Sequence, residues 1–161
     1  MRVITAALFF LSMLTTTKPA FAQLDPAARM SLDKAAQDLM TAALDNFPQM
    51  KCKNFTEPCA PATAAERKNP PLSVDEARLV LATAYKNASA QLCGLDWQQK
   101  SFVPMLKYFE GRGKNDRQMA LVVFMNNIVV ANANPDGKRQ CDDEMRANVA
   151  KDLAFDPKFG R

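Results

Sequence analysis

The sequence predicts an all-α fold: a single compact bundle of four to five helices stapled by two disulfides. Three observations carry that expectation. Apolar residues recur every three to four positions through most of the chain, the period that gathers them on one helix face. Each such run opens at a capping residue and stops at Gly or Pro. Four cysteines, an even number, all follow a segment with the pattern of an export signal.

That segment is 1–22. Arg2 supplies a positive start, and Val3 to Leu14 is a mostly apolar run of 12 residues. Ala20-Phe21-Ala22 then gives the small-x-small pattern that a signal peptidase reads. The run falls short of the ~20 apolar residues that span a bilayer. Cleavage after Ala22 is expected to leave 23–161 as one helical domain, periplasmic or secreted, with no transmembrane segment. Arg2 and Lys18 depart with the leader, which halves the formal charge of +4. So mild a charge lacks the concentrated basic footprint of a nucleic-acid binder, so no nucleic-acid partner is expected.

Asp25-Pro26 opens the first helix, because Pro is tolerated in a first turn whose N–H groups lack partners. Leu32, Ala36, Leu39 and Ala43 form one stripe, widened by Met40, Leu44 and Phe47, and Pro48 ends it. Residues 48–71 hold five of the ten prolines and no sustained period. They read as an irregular connector, long enough to wrap the surface or carry function. Ser73-Val74-Asp75-Glu76 is a capping box that starts the second helix. Val74, Ala77, Leu81, Ala84 and Ala88 line one face, with Tyr85 and Leu92 beside it, and Gly94 ends it.

Asp96 starts a third helix whose apolar edge is Phe102, Leu106 and Phe109, joined by Val103 and Met105. Pro104 removes a backbone donor inside it, which predicts a kink or a short first segment. Gly111 and Gly113 close it. Residues 119–133, capped by Asn115 or Asp116, are almost wholly apolar. They fit a buried helix or a hairpin turning at Asn126-Asn127. The turn lacks its usual Gly and helical caps flank the segment, so helix is favoured. Asn134-Pro135-Asp136-Gly137 is a turn. The last helix carries Cys141, Met145, Val149 and Leu153 on one face, with Asp142, Asp143 and Glu144 near its positive end. Phe155 to Arg161 reads as a tail.

In an oxidising compartment the cysteines form two disulfides. Of the three possible pairings, Cys52–Cys59 with Cys93–Cys141 is favoured: the first brackets Pro58 and the second staples two helix ends. The CxxC spacing of a thiolate metal or redox site is missing.

The chain has no His. That excludes Ser-His-Asp and Cys-His nucleophiles, an imidazole base and His-ligated metals. The acid pairs Asp75-Glu76 and Asp142-Asp143 both sit at helix starts, where capping explains them. The expectation is a non-enzymatic protein with no cofactor. Lys100, Lys107, Arg112, Lys114 and Arg117, with Trp97 and Tyr108 nearby, are the candidate partner-binding residues, able to meet an acidic protein, a phosphate or anionic lipid. A solvated helix face is the plainer reading. Met40, Met105, Met119, Met125 and Met145 fall on apolar faces and are read as core, not copper ligands.

Asn132, Asn134, Asp136, Gly137 and Asp143 occupy positions 1, 3, 5, 6 and 12 of a twelve-residue loop between helices. The segment resembles an EF-hand calcium loop. It departs from one in having Asn first, Asp for the bidentate Glu at the end, and Lys138 and Arg139 in between, so no metal is favoured. The leading expectation is an exported protein that binds another envelope or secreted protein, as an inhibitor, immunity protein, chaperone or accessory subunit. The alternatives are a small amphiphile carrier with a cavity between helices, and a calcium module through 132–143.

Overall fold

The computed structural model describes residues 26–52 and 56–159; the expected leader and Asp25 lie outside the described residues. The chain runs through α1 (Pro26–Asp45), a 3₁₀ turn (Phe47–Gln49), β1 (Lys51–Cys52), β2 (Glu57–Pro58), α2 (Ala64–Lys68) and α3 (Val74–Leu92). A π-helical turn (Gln98–Phe102), α4 (Val103–Gly111), α5 (Asp116–Ala131) and α6 (Asp143–Asp152) follow. Both disulfides form in the favoured pairing, Cys52–Cys59 and Cys93–Cys141. The strands make a two-residue antiparallel ladder, Lys51 opposite Pro58 and Cys52 opposite Glu57, beside the first of them.

Helix α3 is the centre, packed chiefly on α5 and α1. Its start is set by the expected box: Ser73 Oγ accepts from the Glu76 N–H and Glu76 Oε2 from the Ser73 N–H. Its end is set by Gly94, whose φ of +64° a side chain would strain. Helix α5 begins at a second such box, Asn115 with Gln118, and continues unbroken through Asn126-Asn127. The segment is therefore a helix and not a hairpin. Thr63 and Glu66 cap the short α2 in the same way, inside the connector read as irregular.

Pro104 has two consequences that follow from its missing N–H. The Val103 N–H reaches back five residues to the Gln98 carbonyl, giving a π turn where a kink or a short first segment was expected. The Lys100 carbonyl, which position 104 would have satisfied, instead accepts from the Phe155 N–H at 3.2 Å. That bond anchors a strap. Leu153 is buried, the Phe155 ring lies 5.5 Å from that of Tyr108, and Lys86 Nζ donates to the Ala154 carbonyl at 2.7 Å. Lys86 also lies 4.9 Å over the Phe159 ring. Desolvation here pulls the Lys86 pKa down, against the pull of Asp156 and Asp152. Residues 153–159 are thus part of the packed structure, and reading 155–161 as a tail is corrected for them.

The core gathers Ala36, Met40, Leu44 and Phe47 of the first stretch, Val80 and Leu81 of α3, Met105 and Phe109 of α4, and Leu121 and Met125 of α5. A polar contact lies within it. Asn87 of α3 donates to Asn126 Oδ1 of α5 at 2.8 Å, and both side chains are wholly buried. Replacing Asn126 with Leu strands the Asn87 amide and should cost about 1–3 kcal/mol in urea denaturation. The double change Asn87→Leu/Asn126→Leu should recover part of that loss. A single variant as stable as the parent would show that the pair does not hold α3 to α5.

Candidate functional site

The basic residues singled out in the sequence do not make one free cationic face. Arg117 forks onto Glu66 of α2, donates to the Ala60 carbonyl at 2.7 Å, and lies 3.9 Å over the Phe47 ring. Lys114 pairs with Glu76 at 2.7 Å, both largely buried. Arg112 stacks over Tyr108, and Tyr108 packs against Phe109 and Phe155. Trp97 is half-buried, edge-on to Phe102 at 5.7 Å. Lys100 and Lys107 remain exposed. The cluster therefore fixes the connector and the α3 start to the body of the bundle. Its partners stand 51 and 38 residues away in the chain, beyond any local reading of charge.

These pairs leave a pH signature. The Arg117 guanidinium holds the Glu66 carboxyl at about 2, against a usual 4.5, with weaker opposition from desolvation. Burial works against ionised Glu76, but Lys114 and the Ser73 N–H outweigh it and its pKa is also lowered. A carboxylate whose folded pKa is depressed adds stability above its unfolded value and loses it on acidification. Thermal melts should therefore fall as pH drops from 4.5 towards about 2. In Glu66→Gln that fall should be shallower, and modest throughout because the pair keeps contact with water. Identical slopes in the two proteins would assign the pair no part in folding.

The other feature is a groove of about 740 Å³ between α1, α3 and α5 on one side and the segment leading into α6 on the other. Its floor is apolar: Leu39, Ala88, Leu92, Ile128, Val129 and Met145. Its rim is polar and exposed: Tyr85, Asn132, Arg139 and Gln140. The helical period explains the floor, since Ala88 and Leu92 lie one turn apart on α3. Tyr85, placed by the sequence beside the apolar face, is 54% exposed and stands at the edge of the groove. The far wall is held by the Cys93–Cys141 bridge, which ties the α3 end to the residue after Gln140.

The calcium-loop residues adjoin this wall and have other partners. Asn134 Oδ1 accepts from the Arg139 N–H at 3.0 Å, and Asn132 Nδ2 donates to the Ile128 carbonyl at 2.7 Å. Asp136 accepts from the Lys138 N–H at 3.3 Å, and Asp143 opens α6. Among the described residues no three His, Cys, Asp or Glu side chains converge as a metal site would require. No helix of the described residues is long and apolar enough to cross a membrane.

Compared with known protein families, curated proteins and solved structures, the chain matches none.

Proposed function

We propose that the chain is an exported, non-enzymatic binding protein, and that it takes its protein partner in the groove beside Cys93–Cys141. One observation supports the groove above the basic cluster: it pairs an apolar floor with an exposed polar rim, the anatomy of a recognition surface. Three of the five cations of the cluster, Arg112, Lys114 and Arg117, are engaged within the chain. Two disulfides fit an oxidising compartment, periplasmic or extracellular.

The amphiphile-carrier reading uses the same cavity. A volume of about 740 Å³ lies within the range of small-ligand sites. A carrier, however, must seal its cargo from water, and four residues that line this groove, Tyr85, Asn132, Arg139 and Gln140, are exposed. That favours a partner which brings its own cover.

Ser89 is half-buried in the groove wall, so Ser89→Trp fills the groove from within. Co-purification of partner from envelope extract should be lost with Ser89→Trp and kept with Lys100→Glu/Lys107→Glu. The opposite pattern would move the function to the basic face and sink this reading.

A further inference from the structure

The groove is charged on one side only. Among the described residues, Arg139 is its single formally charged lining residue and no carboxylate lines it. The nearby charges are accounted for outside the lining. Lys138 pairs with Asp136 at 3.3 Å, Asp142 caps the Met145 N–H at 2.7 Å, and Asp143 and Glu144 occupy the first turn of α6.

Arg139 is also held in place. Its N–H donates to Asn134 Oδ1 at 3.0 Å and its carbonyl accepts from Asn134 Nδ2 at 3.2 Å. Its Nη1 donates to the Ala133 carbonyl at 3.0 Å. Two residues further, Cys141 is bonded to Cys93. A guanidinium has five N–H donors in a planar fork, and a fork fixed in advance loses less entropy when it meets a planar anion. A lone, preorganised cation at the edge of an apolar floor is complementary to a carboxylate flanked by apolar side chains.

We infer that Arg139 sets the specificity of the groove, and that the partner offers an acidic amphipathic segment. Its apolar side chains lie on Leu39, Leu92, Ile128 and Val129, and its Asp or Glu meets the Arg139 guanidinium. This inference rests on the groove reading above.

The test uses the oxidised chain and a random peptide library displayed on phage. Selected peptides should combine apolar residues with Asp or Glu. In fluorescence anisotropy, Arg139→Gln should weaken them by at least ~10-fold, and Arg139→Lys should restore only part. Converting the peptide's acid to its amide should cost the same factor on the parent and almost nothing on Arg139→Gln. Ser89→Trp should abolish binding, and Ala133→Trp repeats that test at a second position should Ser89→Trp melt early. Peptides blocked by Ser89→Trp but indifferent to Arg139→Gln would overturn the inference and leave the groove reading intact. Peptides indifferent to both groove-filling changes would overturn both. So would a failure to select any peptide; laurate binding to the parent but not to Ser89→Trp would then assign the groove to an amphiphile.

Discussion

Removing the Cys93–Cys141 bridge as Cys93→Ala/Cys141→Ala should lower stability by about 4 kcal/mol, the chain-entropy value for a closed loop of 48 residues. The same change at Cys52 and Cys59, seven residues apart, should cost nearer ~2.5 kcal/mol. The two losses differ in kind as well as size. The shorter loop lies beside a two-residue ladder at the edge of the bundle. The longer one secures the segment that walls the groove, so its loss should also loosen partner binding. Urea denaturation of the two double variants checks the order. A larger loss at Cys52–Cys59 would mean that α6 is held by its packing and not by the bridge.

Phe47→Ala should be the most damaging single substitution, at roughly 3–5 kcal/mol. Phe47 lies in the 3₁₀ turn after α1 and is wholly buried. Its ring supports the Arg117 guanidinium, which in turn holds Glu66 and the Ala60 carbonyl. Truncation therefore opens a cavity and removes the seat of the ion pair that fastens the connector. Phe47→Leu should recover much of the packing but not the cation–ring contact. Equal stability of Phe47→Leu and the parent would confine the role of the ring to volume. A loss below ~1 kcal/mol for Phe47→Ala would mean the core does not depend on this turn.

What could be read in the sequence was local. The Ser73/Glu76 box is a three-residue relation and appears in the structure as its spacing predicts, and of the two candidate caps Asn115 and Asp116 the structure uses Asn115. Stripes at helical period placed Ala36, Met40, Ala77, Leu81 and Met125 correctly in the core. The misses were relations across distance or against pattern. Arg78, buried on α3 and paired with Asp33 and Asp75, looks in sequence like any surface cation. The strap has no helical period to announce it, although Phe155 and Phe159 were a signal that an apolar segment had no assigned place. The groove emerged only from the pairing of α1, α3 and α5 with a loop nearly fifty residues beyond the cysteine it joins. No single stretch of sequence contains it.

The strap and the bridge share a position late in the chain. Cys141 and residues 153–159 follow every helix of the central bundle, and each closes onto an element made much earlier, the end of α3 and the π turn before α4. For a chain delivered N-terminus first, α1 to α5 can pack before either closure is in reach. The groove then acquires its second wall last, and that wall is tied to the end of α3 only when Cys141 meets Cys93. On the reading proposed above, a partner met before that closure would find the floor of the groove but not its edge.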